Sequence, residues 1–220
     1  MKILILGTGN MARGIGTRLL AGGHAVTLYN PDRADAEQLA QDLRGAAAGG
    51  TSVAVADTPS AAIPQSDVVI LASWYSVNRQ LAQELGRELA GKVVVDISNP
   101  LNATFDGLAT PPGSSAAEQI RDVLPANARV VKAFNTTFAG TLVAGQVAGH
   151  TLDVFIAGDD QSAKDAVATL TRDGGLNATD VGPLERARQL EGLGFLGISL
   201  QSRLGTHFDT AWKLIMPAKG

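Results

Sequence analysis

Short apolar runs alternate with Ala/Leu-rich amphipathic stretches almost from end to end of the chain. The runs Lys2–Leu6, Ala25–Tyr29, Ser52–Ala56, Asp67–Ala72, Lys92–Ile97, Arg129–Phe134 and Asp153–Ile156 are predicted strands. Several of them (ILIL, VVIL, VVV) are apolar at every position, as strands covered on both faces must be. Between them, residues 11–21, 33–43, 76–89, 115–123 and 161–172 are predicted helices, and Ser115 followed by Glu118 is a capping-box signature for the fourth. This alternation predicts an α/β fold built on a doubly wound, mainly parallel sheet. The Pro/Gly punctuation at 107–115 is a loop within the domain, because strand and helix resume at once. The segment GAAAGG at 45–50 is a flexible turn. The tail from Leu184 to Lys219, with its apolar stretch LEGLGFLGISL, reads as one or two helices. The expected organisation is a sheet domain over 1–183 with a short helical segment, 184–220, packed on it as a single structural unit. So short a tail cannot form a separate substrate domain. A ligand is therefore expected to bind against the sheet domain itself, or there with the help of a second subunit.

Composition removes several classes of chemistry. The chain has 220 residues and no cysteine, which excludes disulfides, zinc–thiolate sites, iron–sulfur clusters and thiol nucleophiles. Three isolated histidines, His24, His150 and His207, offer little to a transition metal, so no metal site is expected. Lys and Arg total 18 against 21 acidic residues, a net charge of −3, too weak a field of the wrong sign for nucleic acid. The N-terminal MKILILGTGN runs from strand straight into glycine and is too short for a signal peptide's apolar core. No apolar run approaches the length of a membrane span, so a cytoplasmic protein with no membrane partner is expected.

The chemistry begins at Gly7-Thr8-Gly9-Asn10-Met11-Ala12, a G-x-G-x-x-A sequence that follows the first strand and opens a helix. In a dinucleotide site, Gly7 permits the tight turn and Gly9 clears the way for a pyrophosphate. Ala12 lets the helix lie close on the sheet, and the helix N-terminus offers free N–H groups to the phosphates. The end of the second strand should choose the cofactor. Asp or Glu there bonds the ribose 2′-hydroxyl of NAD, whereas this chain has Tyr29-Asn30-Pro31-Asp32-Arg33. Asn30 brings no charge to oppose a 2′-phosphate and Arg33 can pair with one, so NADP is favoured over NAD. Against this, Asp32 would repel the phosphate if it faced inward, and Asp32 and Arg33 also suit a plain helix start.

Ligands of parallel sheets collect beyond the carboxyl ends of the strands. The fourth, fifth and sixth runs end in Ser73-Trp74-Tyr75-Ser76, Ser98-Asn99-Pro100-Leu101 and Asn135-Thr136-Thr137. Trp74 is either a wall of the cofactor site or an ordinary half-buried aromatic. Asn99, held extended by Pro100, and Asn135 are candidate cofactor contacts. No catalytic constellation accompanies them, and no catalytic residue is assigned. His24 belongs to the turn before the second strand, and Lys132, within an apolar run, is expected to snorkel from its strand. Hydride transfer between two redox cofactors fits this silence, because it asks for alignment and exclusion of water more than for an acid or base.

The strings GTGNMA, DVVILA, GKVVVDISNPL, SSAAEQI, RVVKAFNT, DVFIAGDD and VGPLERARQLE occur in this order across nearly the whole chain. In this the chain resembles the NADP-binding proteins related to the F420-dependent NADP reductases, which pass hydride between NADPH and a deazaflavin. It is similar also to the cytoplasmic domain of the STEAP-type metalloreductases. The resemblance implies a Rossmann NAD(P)-binding fold with a short helical C-terminal part, often as a homodimer. By matching, Thr8 and the Asn30–Arg33 turn would contact the adenosine phosphate end, and Ser73–Tyr75, Asn99, Pro100 and Ala133–Asn135 the nicotinamide. The chain departs from F420-using members where Asn135 stands for a histidine, and where Gly192 and Gly194 stand for hydroxyl residues after Arg188. Phe134 and Phe195 imply a greasier pocket, and Arg188 is either an anion contact or a structural ion pair.

The leading expectation is an NADP-dependent oxidoreductase that passes hydride to a planar small-molecule acceptor. F420 is the first candidate acceptor, and a flavin or flavin-coupled metal ion the second. A non-catalytic NADPH-binding sensor or partner module is the alternative. A hydroxyacid-type dehydrogenase is disfavoured by the lack of an acid/base Lys or His and of a larger helical domain. The charge-reversing Arg33→Glu is expected to weaken NADPH binding far more than NADH binding in a titration; equal losses would remove Arg33 from the phosphate site.

Overall fold

The structure, a computed structural model, describes residues 1–46 and 51–217. Residues 47–50 of the expected Ala/Gly turn lie outside the described residues. In chain order the strands are β1 (Lys2–Leu6), β2 (Ala25–Tyr29), β3 (Val53–Val55), β4 (Val68–Leu71), β5 (Val93–Asp96), β6 (Arg129–Lys132), β7 (Gln146–Val147), β8 (His150–Thr151), β9 (Asp153–Gly158) and β10 (Asn177–Gly182). The helices are α1 (Asn10–Ala21), α2 (Arg33–Ala46), α3 (Pro59–Ala62), α4 (Tyr75–Leu85), α5 (Ala116–Arg121), α6 (Ala139–Ala144), α7 (Gln161–Asp173) and α8 (Ala187–Leu204).

Eight strands form one sheet in the order β3-β2-β1-β4-β5-β6-β9-β10. The first six named here are parallel, β9 runs antiparallel to β6, and β10 is parallel to β9. This is the mainly parallel, doubly wound sheet of a Rossmann-type fold. The continuous apolar runs serve two cores. Ile3 and Ile5 of β1, with Val68, Ile70, Val93 and Val95, face α1, α2 and α7, while Leu4, Leu6, Val69, Leu71 and Val94 face α4 and α5. A strand period of two sends alternate residues to opposite faces, so both sets must be apolar.

The structure differs from the sequence expectation where local signals are weak. The helix expected at 76–89 stops at Leu85, where Gly86 takes φ +41°, and continues as a 3-10 turn over Gly86–Leu89. Edge strand β10 (NATDVG) is too polar to announce itself, and the β7–β8 hairpin turns on Ala148 and Gly149, both at positive φ. The tail holds one long helix, α8. After the left-handed Gly205, residues 206–217 form a non-helical strap tied down by Lys213 Nζ on Asp153 (2.5 Å) and by the Leu214 amide on the same carboxylate (2.8 Å).

Lys132 does not snorkel. Its side chain is 0% exposed and its ammonium lies 2.7 Å from Asp96 and 2.9 Å from Glu191, while it also donates to the Ser98 carbonyl. Burial alone would drive a lysine's pKa down, but the two carboxylates hold Lys132 above its ordinary value. Burial pushes Glu191 up against the pull of Lys132. Glu191 also accepts from the Ala116 and Ala117 amides (3.0 and 3.3 Å), so a side chain of α8 satisfies the N-terminus of α5. The Ser115–Glu118 signature is half realised: the Ser115 hydroxyl accepts from the Glu118 amide, and the Glu118 carboxylate takes the Ser115 hydroxyl (2.7 Å) and Arg188. Removing the ammonium strands two carboxylates out of water. Lys132→Met is therefore expected to cost about 3–5 kcal/mol in urea unfolding; a loss below about 1 kcal/mol would show that the pairing carries little of the fold.

Candidate functional site

The chain runs from β1 outward to β2 and β3, then crosses back to place β4 on the other side of β1. The loops after β1 and β4 therefore part at the carboxyl edge, and a cleft of about 1090 Å³ opens there. Gly7 sits at φ +123°, and a Cβ on it would lie 2.5 Å from the Ala72 carbonyl oxygen. The turn is possible only because neither constraint applies to glycine. A Cβ on Gly9 would point into open space, and α1 begins without a side-chain cap, leaving its first amides free.

Of the residues singled out from the sequence, Gly7, Thr8, Gly9, Asn10, Met11, Asn30, Pro31, Ser73, Trp74, Asn99 and Asn135 line this cleft. Ala12, Arg33, Tyr75, Pro100 and Ala133 do not. Ala12 and Ala133 are core residues at 0% exposure. Pro100 is buried, and Tyr75 donates to Gln119 (2.5 Å). Arg33 pairs with Asp57 and with Glu37 (3.0 Å). Asp32 accepts from the Ala34 amide (2.9 Å) and so serves the start of α2. Asn30 donates to the Thr8 hydroxyl and accepts from the Asp32 amide (3.0 Å), which ties the ends of β1 and β2 together.

On the far side of the cleft two asparagines clasp each other. Asn99 Nδ2 donates to the Asn135 carbonyl (2.8 Å), and Asn135 Nδ2 donates to Asn99 Oδ1 (2.9 Å) and to the Leu190 carbonyl of α8 (2.8 Å). The remaining Asn135 Oδ1 is buried without a partner, on a residue 3% exposed that lines the cleft. Phe134, just before it, takes φ +63°, a strained conformation for an aromatic residue. Phe134 belongs to the main core and neither it nor Phe195 lines the cleft. The aromatic rings that do are Tyr29 on the β2 side and Trp74, Phe105, Phe138 and Phe208 on the other, joined there by Leu101 and Ile198. Tyr29, Trp74 and Leu101 stand in runs the sequence marks, whereas Phe105, Phe138, Ile198 and Phe208 come from distant segments and carry no local pattern.

Another unforeseen residue is Asn78. Fully buried on α4, it accepts from the Ser73 amide (3.0 Å) and donates to the Leu71 and Ser73 carbonyls, bracing the turn after β4. Arg188 is a structural ion pair. It grips Glu118 with two bonds (2.7 and 2.9 Å) and Glu185 with a third, and does not line the cleft. His24 bonds the chain's amino terminus (3.1 Å) and faces Asp173 (3.2 Å). Among the described residues no group of His, Asp or Glu is placed to hold a metal ion, and no helix is long and apolar enough to cross a membrane.

Strand order, glycine turn and cleft define a Rossmann-type dinucleotide-binding protein. A sequence model of the family described as "NADP oxidoreductase coenzyme F420-dependent" matches residues 2–100. The F420-dependent NADP reductase of Methanocaldococcus jannaschii is 32% identical over 214 residues, covering 91% of this chain and 92% of that protein. The chain belongs to the F420-dependent NADP oxidoreductase family. The rat metalloreductase STEAP3 is 32% identical over 194 residues, or 87% of this chain, but the chain spans only 36% of that protein's length. Among solved structures, a putative F420-dependent NADP reductase from Arthrobacter sp. FB24 is 30% identical with a TM-score of 0.82, covering 98% of this chain and 100% of the other.

Of the two glycines after Arg188, only Gly194 has a steric reason. A Cβ on Gly194 would lie 2.9 Å from Asn99 Cγ and Nδ2, so α8 approaches the clasp at a distance only glycine allows, whereas a Cβ on Gly192 would meet nothing. Gly194→Ala is expected to cost about 1–3 kcal/mol through overpacking, and Gly192→Ala to gain about 0.5–1 kcal/mol through helix propensity. Paired thermal melts check this; equal shifts would show that the clasp does not depend on that contact.

Proposed function

We propose that this chain binds NADPH along the carboxyl edge and passes hydride to a planar small-molecule acceptor beside Asn99 and Asn135. F420 is the first candidate acceptor, and a flavin or flavin-coupled metal ion the second. The reading is supported above all by Asn135. A buried amide oxygen without a donor costs about 1–3 kcal/mol, and the carboxamide N–H₂ of a nicotinamide is a donor of the right kind. Gly7, Gly9 and the uncapped start of α1 suit a pyrophosphate, and Thr8, held by Asn30, borders the same turn. Held there, NADPH would supply the hydride of its nicotinamide, with the accompanying proton drawn from water.

This chain's own residues orient and exclude. The clasp fixes the amide plane, Phe134 holds Asn135 at the end of β6, and Leu101, Phe138 and Ile198 keep water from the acceptor side. NADP is preferred to NAD because Asn30 stands where an acidic residue would select the free 2′-hydroxyl. Arg33 would have to leave Asp57 and Glu37 to reach a 2′-phosphate. A homodimer belongs to the same reading: Leu196 on α8 is exposed and Leu193, Phe195 and Leu200 are half-buried, an apolar face suited to a second copy.

The test is a titration with NADPH and NADH, followed by NADPH oxidation with F420, FMN, FAD, riboflavin and menadione offered in turn. Tighter binding of NADPH and turnover with one acceptor are expected. Asn135→Ala should weaken NADPH and NADH alike, by about tenfold, because the nicotinamide is common to both. Tight NADPH binding with no reduction of F420, FMN, FAD, riboflavin or menadione would make the chain a sensor or partner module and overturn the enzymatic reading.

A further inference from the structure

The cleft divides its charge unevenly. Among the described residues, its only charged lining side chains are Arg13 and Asp35, on α1 and α2, and Arg13 is paired with Asp42 at 2.6 Å. The opposite half is made by Leu101, Phe105, Phe138, Ile198 and Phe208. The basic residues on the surrounding elements are engaged or lie elsewhere. Lys132 is sealed in the sheet, Lys213 is on Asp153, and Arg188 is on Glu118 and Glu185. Arg79, Arg203 and His207 are exposed but outside the lining.

Two carboxylates flank that apolar half in the chain. Asp106 lies next to Phe105, and hydrogen bonds from Thr104 and Asn102 hold its carboxyl below the usual range. Asp209, beside Phe208, is exposed. Among the described residues, no basic side chain lines this half of the cleft to receive an anion, and the flanking carboxylates oppose one.

The aromatic rings, by contrast, are displayed at a cost. Trp74 is 63% exposed, Phe105 57% and Phe208 48%. Phe105 and Phe208 both hold the left-handed conformation, φ +58° and +68°, which for a non-glycine residue costs about 1–3 kcal/mol. The Phe105 loop is braced by Asn102, Thr104, Asp106 and the Leu101–Leu108 bridge, and so keeps that ring in place. Trp74 meets Phe105 edge-on at 6.4 Å, and Phe138 meets Phe208 edge-on at 5.2 Å. Two such pairs bordering one apolar recess suit the faces and edges of a flat ring.

We propose that the acceptor site recognises an uncharged planar redox ring, of the quinone or unphosphorylated flavin type, and gives no grip to a phosphate or carboxylate tail. F420 or a flavin nucleotide would be held by its ring alone. This rests on the acceptor reading given above and narrows it.

The test is equilibrium binding by the full chain saturated with NADP⁺, with riboflavin, FMN, FAD, F420 and menadione as probes, so that no turnover is needed. Riboflavin is expected to bind at least as tightly as FMN, and the FMN affinity is not expected to fall between about 50 and about 500 mM salt. Phe105→Ala and Phe208→Ala should each weaken riboflavin about tenfold and leave NADP⁺ binding unchanged. FMN or F420 binding about tenfold tighter than riboflavin, with affinity falling as salt rises, would overturn the inference and leave the acceptor reading standing. Binding of NADP⁺ with no affinity for any probe would overturn both.

Discussion

A charged ammonium with no access to water has to be answered by charge, and that requirement organises the carboxyl edge of this sheet. Lys132 at the end of β6 is answered by Asp96 at the end of β5 and by Glu191 on α8. Asp96 in turn accepts from the Ser98 amide and hydroxyl, and Asn78 Nδ2 stands 3.4 Å from the same carboxylate. Glu191 reaches the first amides of α5. One buried group thus links two adjacent strand ends, the turn after β4, a short helix and the C-terminal helix. Such a group is not retained for stability alone, since well-packed apolar residues of similar volume often do as well. What it adds here is direction: each partner has only one place to be.

The clasp of Asn99 and Asn135 stands on that arrangement. Ser98, whose carbonyl receives Lys132, immediately precedes Asn99, and the Leu190 carbonyl that receives Asn135 immediately precedes Glu191. α8 can come this close because Gly194 carries no side chain, and Gly197 likewise leaves room for Trp212 of the strap. In this way a single helix and an extended tail wall the cleft that larger dehydrogenase architectures close with a whole helical domain. Phe208 and Ile198 line the cleft because of it.

Much of this could be read in the sequence, and the limits have physical causes. The strands were legible because burial on both faces forces an unbroken apolar run, and the spans of β1 and β2 agree to the residue. The glycine turn was legible because its requirements are local: one positive φ, one close approach, one helix start. Lys132 was misread as snorkelling because its partners lie 36 and 59 residues away, and no spacing announces a convergence made by the fold. Arg33 shows the same limit on the surface, since nothing in YNPDR reveals Asp57 across the β2–β3 edge. The aromatic lining fails for a third reason. Phe105 and Phe208 are exposed and in strained backbone, and neither periodicity nor hydropathy marks such positions.

The division of labour along the cleft follows from the order of the sheet. The half nearest β1 and β2 presents amides, a helix N-terminus and the few charged side chains, because the chain there turns from strand to helix on glycine with its donors unspent. The half nearest β5 and β6 presents aromatic and aliphatic side chains, because the ionic groups at those strand ends are spent on one another inside the sheet. The interior ion trio therefore has a second effect beyond bracing. By drawing Lys132, Asp96 and Glu191 inward, it leaves that half of the cleft lining, among the described residues, without a charged side chain. A wall of this kind suits the hydride transfer proposed above, which gains from a dry and aligned pair of rings and needs no proton donor beside them.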